Sequence, residues 1–307
     1  MEGKWAIIAD DLTGSCDAGA PFAARGYSTC VRLHGCAPAV PSPDIPVFET
    51  SSRHLDAREA YARVRDAVRL AAGRRIFKKV DSTLKGNILA ELEGIRDALP
   101  ASRIILAPAH PAMGRTIRDG VLFVHGEDTG QRLPEAQWLE CLDELPATIE
   151  EDAVYAGSGA LARRIADALP PGPDPCFRPR HAQVTVIAGS RNPATLAQVR
   201  LLRERNIEGV SILEIERDSL YSPVFKSLLS ALTPSALLIA GGDTARAAAA
   251  HLGARGIRLA GEEIPGVPWG AWTGGSFDAL PIATKSGGFG EMDVLARAAL
   301  LLQGEPI

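Results

Sequence analysis

Short apolar runs alternate along this chain with longer stretches whose apolar residues recur at helical spacing. The runs Trp5–Ala9, Thr29–Leu33, Ile45–Glu49, Arg75–Val80 and Arg103–Ala107 have strand length, and between them Ala57–Ala72 and Ile88–Leu99 carry helical patterns. Asp56 is placed to cap the first of these helices, Glu59 three residues on suggests a capping box, and Gly73 stands where the helix should stop. A further short run, Ala153–Ala156, precedes a proline-rich stretch, Pro170-Pro171-Gly172-Pro173-Asp174-Pro175, the clearest linker in the sequence. A fresh alternation follows it: strand Val184–Ala188, helix Ala194–Arg205, strand Gly209–Glu214, helix Ser222–Ala231 and strand Ala236–Ala240. This pattern predicts an α/β protein of two domains, each a mostly parallel sheet flanked by helices. The boundary belongs at the linker, giving domains 1–172 and 173–307. Pro21 falls in the helix expected after the first strand and would remove a hydrogen bond if that helix has begun by Ser15.

Composition narrows the class. With 307 residues, 46% hydrophobic and 23% charged, the chain reads as an ordinary globular protein long enough for two domains. Its net charge of -4 and its 5% aromatic content argue against a nucleic-acid binder, which would show a basic face or stacking rings. Cys16, Cys30, Cys36, Cys141 and Cys176 form no C-x-x-C pair, so they read as free thiols in a reducing cytoplasm. The first apolar stretch ends at two aspartates, unlike a signal peptide, and no run nears the ~18 residues of a membrane span. A cytoplasmic protein with no nucleic-acid and no membrane partner is expected.

Two glycine-punctuated segments stand out in the second half. Ala240-Gly241-Gly242-Asp243-Thr244 and Lys285-Ser286-Gly287-Gly288-Phe289-Gly290 each follow an apolar run and precede a helix-like stretch. Glycines at a strand-to-helix turn let backbone N–H groups approach an anion closely, and the helix N-terminus adds positive potential. A tight turn explains one such loop equally well. Two of them, with Lys285 beside the second, point to a phosphate site and to a nucleotide as its ligand. No G-x-x-x-x-G-K-[ST] loop is present, so a nucleotide must be held in another way. Gly157-Ser158-Gly159-Ala160-Leu161-Ala162 fits G-x-G-x-x-A, but the acid a dinucleotide site wants about 20 residues on would fall in the proline linker. Close helix packing by small residues is the better reading there.

In the first half, Asp10-Asp11-Leu12-Thr13-Gly14-Ser15-Cys16-Asp17 follows the first strand directly, the place where open α/β sheets bind ligands. Its acids could accept substrate hydroxyls, hold magnesium or act as a base. Turn formation and helix capping would use the same residue types, yet two adjacent acids exceed what one cap requires. The segment lacks the D-x-D-x-T spacing of a phosphoaspartate phosphatase. Lys78–Asn87 brings Lys78, Lys79, Lys85, Asp81, Ser82, Thr83 and Asn87 to a strand end, a set suited to a small polyhydroxylated anion. Arg53, in Glu49-Thr50-Ser51-Ser52-Arg53, is a candidate fork for a substrate carboxylate. His110, flanked by Pro108 and Pro111, reads as structural more readily than as catalytic.

Taken together and in order, several segments resemble the four-carbon acid sugar kinases, a family that phosphorylates threonate, erythronate and related tetronates with ATP. They are Ala9–Gly14, Thr50–Arg53, Lys78–Asn87, Ala107–Pro111, Ala188–Ser190, Gly241–Ala245 and Lys285–Gly290. The resemblance spans nearly the whole chain. It implies a sugar-acid domain followed by a nucleotide domain, with an inter-domain cleft. It also implies that Asp10, Asp11, Arg53, Lys79, Asp81, Ser82 and Thr83 hold the sugar acid. Ser190, Gly241, Gly242, Asp243, Thr244, Lys285, Gly287 and Gly288 would hold ATP. The chain departs from the family where it is shorter, between Gly126 and Ala153, and at His110, Met113 and Ser190-Arg191-Asn192-Pro193, where phenylalanine, asparagine and Ser-Cys-Ser are common.

The reading that results is an ATP- and Mg2+-dependent kinase acting on the terminal hydroxyl of a small sugar acid such as threonate, erythronate or 3-oxo-tetronate. Asp11, with Asp81 second, would orient or deprotonate that hydroxyl, and Arg53 and a lysine would take the carboxylate. The metal ligands are left open, as is assembly into a homo-oligomer. A non-catalytic relative that binds a sugar acid or a nucleotide, and a kinase of a different hydroxy acid, are the alternatives.

Overall fold

The computed structural model describes residues 4–38, 40–100, 102–173 and 183–305. They divide into two compact units, one of the residues up to Gly35 with Ser42–Pro173, the other of Cys36–Pro41 with the residues from 183 on. The proline-rich linker is described only as far as Pro173; Asp174, Pro175 and Cys176 lie outside the described residues. Cys16 and Cys30 are buried, Cys36 is half-buried and Cys141 is exposed.

The first unit runs β1 (Trp5–Ala9), α1 (Leu12–Ala24), β2 (Thr29–Arg32), β3 (Ile45–Glu49), α2 (Ala57–Leu70), β4 (Arg75–Lys79), α3 (Ile88–Ala98), β5 (Arg103–Ala107), β6 (Arg115–Arg118), β7 (Val121–Val124), β8 (Glu127–Arg132), β9 (Leu139–Cys141), β10 (Ala153–Gly157) and α4 (Gly159–Asp167). Its main sheet has the order β2-β3-β1-β4-β10-β5-β9, with every neighbouring pair parallel. β1 and β10 are buried along their whole length, which is why they read as continuous apolar runs. Ala6 and Ile8 of β1 join Val64, Val68, Leu92 and Ile95 of α2 and α3 in one core layer. Side chains alternate across a strand, so Trp5, Ile7 and Ala9 face the opposite layer, where α1 packs with α4. Each fully buried Val, Leu or Ile in such a layer contributes ~1.5–3 kcal/mol. β6, β7 and β8 form a separate antiparallel sheet that the sequence pattern did not announce, and every residue of β8 is exposed.

Local signals explain the helix ends. Asp56 caps α2 by accepting the Glu59 N–H at 2.9 Å, and Gly73 follows the helix at φ +77. The Glu59 carboxylate stands 3.9 Å from Arg63, a surface pair one turn along. Pro21 does not break α1, which runs through it from Leu12 to Ala24; the missing N–H falls near the helix end, and the Pro21 carbonyl still accepts from Arg25 N at 3.2 Å.

The second unit runs β11 (Val184–Ala188), α5 (Pro193–Arg205), β12 (Val210–Glu214), α6 (Pro223–Ala231), β13 (Ala236–Ala240), α7 (Gly242–Leu252), β14 (Gly256–Ile264), β15 (Val267–Thr273), β16 (Pro281–Lys285) and α8 (Val294–Gln303). Its strands have the order β12-β11-β13-β16-β15-β14. The first four are parallel, and β15 pairs antiparallel with both β16 and β14. α5 packs with α8, and α6 with α7. β11, β13 and β16 are therefore neighbours whose carboxyl ends open on one edge, where such sheets bind ligands.

Candidate functional site

In the first unit, β1, β3 and β4 lie side by side, so the loops that leave them meet at their carboxyl ends. Arg53 closes that junction. Its Nε and Nη2 donate to the two oxygens of Asp10 at 2.8 and 2.9 Å, its Nη1 to Asp11 Oδ2 at 2.8 Å, and Nη2 stands 3.8 Å from Asp81 Oδ2. The fork expected to hold a substrate carboxylate is thus spent on the protein's own acid. Asp10, expected to touch substrate, is 3% exposed at its side chain and serves as the anchor for Arg53. Asp11 is 16% and Asp81 20% exposed, so these two carboxylates reach the surface of the junction.

Asp11 is also the N-cap of α1. Its Oδ1 accepts from Gly14 N at 2.9 Å and its Oδ2 from Thr13 Oγ1 at 2.8 Å. A Cβ on Gly14 would lie 2.4 Å from Asp11 Oδ1, so glycine is required for this close approach. Gly86, at φ +96, brings the Lys78–Asn87 loop onto Asp10, since a Cβ there would come within 2.8 Å of Asp10 Oδ2. Asp81 is held by Thr83, whose N–H and Oγ1 donate to it at 2.8 and 2.5 Å. Ser82 is buried, and Lys79 donates to Val80 O at 3.0 Å and stands 3.7 Å from Asp17. Ser51 and Leu84 adopt φ +51 and +57, a conformation L-residues adopt at a cost, and both sit in the loops of this junction.

The adjacent acids are pushed apart electrostatically. Burial alone would raise Asp10, but Arg53, with Lys78 and Lys79, holds it below its ordinary value. Burial raises Asp11, and the Asp10 charge adds to that rise; Arg53 and Lys79 offset only part of it. Asp81 is held low against burial by Arg53, Lys79 and Thr83. A pair of carboxyls split in this way provides one permanent anion and one group suited to proton transfer.

In the second unit, Ala188 pairs with Ala240 and Ala240 with Lys285, so three loops leave the sheet at one level. A Cβ on Gly189 would meet Thr244 Oγ1 at 2.4 Å, and one on Gly287 would meet Ser190 Oγ at 2.5 Å. Gly241, at φ +116, starts α7, and no side chain caps that helix start. The first amides at the head of α7 therefore take no side-chain acceptor, and a helix start of this kind suits an anion. Asp243 lies on the rim, 3.2 Å from Arg217. Lys285 departs from expectation. It is fully buried, and its Nζ donates to loop carbonyls, Ser286 O at 2.9, Gly287 O at 3.2 and Phe289 O at 2.9 Å.

Other expectations resolve locally. In Gly157-Ser158-Gly159, Ser158 caps α4 by accepting from Ala160 N, and Cβ atoms on the two glycines would strike Ala107 O and the Asp17 carboxylate. Packing of strand on strand and helix on helix accounts for that motif. His110 exchanges backbone hydrogen bonds with Arg115, and burial lowers its pKa. Sequence reasoning missed Glu91, buried on α3, which pairs with Lys78 at 2.9 Å and accepts from Ser52. It also missed Thr195 and Gln198, two buried polar residues of α5 that donate to the Gly287–Glu291 carbonyls. Polar residues at i and i+3 on a buried helix face were the available signal.

Comparison with known proteins adds an independent line. The family description of a sugar-binding N-terminal domain matches residues 5–138, and that of a nucleotide-binding C-terminal domain matches 219–295. A D-threonate kinase of Bordetella bronchiseptica is 30% identical over 393 aligned positions, taking in 95% of this chain and 96% of the relative. That alignment exceeds the 307 residues of the chain, so the relative carries segments with no counterpart here. A D-erythronate kinase of Heliobacterium modesticaldum is 38% identical over 39% of this chain and 29% of its own length. A solved Haemophilus influenzae protein, 18% identical, matches in fold with a TM-score of 0.65 over 97% of this chain and 100% of that one.

Proposed function

This chain belongs to the four-carbon acid sugar kinase family, and we propose that it transfers the terminal phosphate of ATP to the terminal hydroxyl of a small sugar acid such as threonate, erythronate or 3-oxo-tetronate. The observation that carries the reading is the split pair Asp10 and Asp11: Arg53 holds Asp10 through two bonds and keeps it low, while Asp11, held by one, is 16% exposed and raised. Asp11 takes the hydroxyl proton, and Asp81 accepts hydrogen bonds from neighbouring hydroxyls. With Arg53 closed on Asp10, the substrate carboxylate falls to Lys79, whose ammonium has three donors, gives one to Val80 O and stands 3.7 Å from Asp17. We assign residues 1–172 to the sugar acid and 173–307 to the nucleotide.

On the nucleotide side, the amides at the head of α7 and the loops at Ser190 and Gly287-Gly288 would take the phosphates. Phosphoryl transfer needs mainly alignment and neutralisation of charge, so backbone donors of this kind carry much of the work. Magnesium, when bound, neutralises polyphosphate charge. It suits a site with one or two carboxylates plus phosphate oxygens, and Asp243 is the carboxylate at hand. Among the described residues no group of three or more His, Cys, Asp or Glu is placed to hold a metal ion.

The test is ADP release with ATP, Mg2+ and a panel of sugar acids from three to six carbons. Turnover confined to four-carbon acids supports the proposal. Silence across the panel, with ATP binding demonstrated by calorimetry, would instead point to a binding protein without turnover.

A further inference from the structure

We propose that Lys285 is a positioning residue, which with Thr195 and Gln198 draws the carbonyl oxygens of Ser286, Gly287, Phe289, Gly290 and Glu291 inward and so turns the Gly287 and Gly288 N–H groups outward to receive phosphate. This rests on the nucleotide reading above and assigns the lysine a part other than phosphate contact. Lys285 Nζ donates to Ser286 O, Gly287 O and Phe289 O. Thr195 Oγ1 donates to Gly287 O at 2.6 Å, and Gln198 Nε2 lies 3.1, 3.0 and 2.9 Å from the carbonyl oxygens of Phe289, Gly290 and Glu291. All three side chains are buried.

The consequence follows from peptide geometry. In a trans peptide unit the C=O and the N–H point in opposite directions, and no cis bond occurs among the described residues. Ser286 O shares its unit with Gly287 N, and Gly287 O shares its unit with Gly288 N. Carbonyls bound to Lys285 therefore leave those two amides facing away from it. The glycines border the first post-strand loop of this unit, since Cβ atoms on them would lie 2.5 Å from Ser190 Oγ and 3.4 Å from Asn192 Nδ2. Without Lys285, Thr195 and Gln198 the Gly287, Phe289 and Gly290 carbonyls would lose these donors, Ser286 O and Glu291 O would keep only backbone donors from Phe289 N and Val294 N, and buried carbonyls without donors are avoided. The loop would then turn over and withdraw its amides.

Thr195→Val, Gln198→Met and Lys285→Met test this, with nucleotide affinity by calorimetry, steady-state KM values, and hydrogen exchange of the 286–291 amides without ligand. Each variant should weaken ATP binding by about tenfold or more, the scale of one lost buried hydrogen bond. The KM for the sugar acid should not move, and loop exchange should quicken. The Lys285→Met/Gln198→Met double variant should lose less than the product of the single losses, because both hold one loop. If Thr195→Val and Gln198→Met bind ATP like the wild type while Lys285→Met does not, the lysine touches phosphate and the proposal is overturned. Unchanged loop exchange in all three variants overturns it as well. Should Lys285→Met fail to fold, the other two carry the test. A wild-type protein that binds no nucleotide, while loop exchange still responds to the variants, overturns the nucleotide reading and the positioning role with it.

Discussion

Asp11→Asn should cut turnover by about 10^2–10^4-fold while leaving the fold and the nucleotide site intact. Asp11 does two jobs, and asparagine can do one of them. As N-cap it accepts from Gly14 N at 2.9 Å, and asparagine caps as well as aspartate. Arg53 loses one partner but keeps both bonds to Asp10, and removing one of two adjacent like charges eases the other. The net effect on stability should stay within ~1 kcal/mol, a shift of a few degrees in Tm. Turnover is another matter. Losing a general base costs about 10^2–10^4-fold, or about 3–5 kcal/mol in the barrier.

The assay is ADP release at saturating sugar acid, beside ATP affinity by calorimetry and a thermal melt. Turnover within about threefold of wild type would remove Asp11 from proton transfer, since even the low end of general-base effects is larger. The pH profile supplies a second check. A base works deprotonated, so kcat/KM should fall as pH drops through the folded pKa of Asp11. Burial and Asp10 place that limb above the ordinary carboxylate value of ~3.9. Asp11→Asn should erase the limb, whereas Asp11→Ala should in addition cost ~1 kcal/mol for the lost cap.

Arg53→Met leaves the buried Asp10 carboxylate unpaired and should cost about 3–5 kcal/mol; the melting gap to wild type should narrow at acid pH, where Asp10 takes up a proton. Gly14→Ala drives a Cβ to 2.4 Å from Asp11 Oδ1, and should lower turnover with ATP affinity unchanged by calorimetry. Gly287→Ala places a Cβ 2.5 Å from Ser190 Oγ, so nucleotide affinity should fall while sugar-acid affinity holds. Burial pushes Lys285 down to about 7, so its third donor is lost as pH rises through that value and ATP affinity should decline there. Stability should move the opposite way, because an unfolded lysine binds its proton up to ~10.4 and the chain then releases more protons on folding.

The parallel strands were legible because strands buried on both faces leave continuous apolar runs, and their loops could be placed because ligands gather at strand carboxyl ends. The β14–β15 hairpin was not, since polar residues such as Arg258, Glu262 and Glu263 break its apolar runs. The β6–β8 sheet was hidden for a related reason: the exposed Glu127–Arg132 carries no apolar face to betray a strand. At the sites, residue types were readable and partners were not. Asp10, Asp11 and Arg53 are drawn together by strand order, with β1 beside β3, and one-dimensional spacing does not encode that adjacency.

Both units handle charge in the same way. A buried ion is costly unless its bonding capacity is met, and each unit meets it internally: Arg53 on Asp10, Lys285 on three carbonyls. Neither ion is then free to bind a ligand directly, yet each fixes the groups beside it. Arg53 holds Asp10 ionised, and the Asp10 charge helps keep Asp11 raised. Lys285 holds the carbonyls whose peptide units carry the Gly287 and Gly288 amides. On the function proposed above, contacts with the ligands pass to Lys79, a partly exposed carboxyl and backbone N–H groups, whose positions are set before any ligand arrives. Such preorganisation lowers the reorganisation needed during phosphoryl transfer. Arg53 and Lys285, which the residue pattern marked for ligand contact, are bonded instead to the protein's own acid and carbonyls.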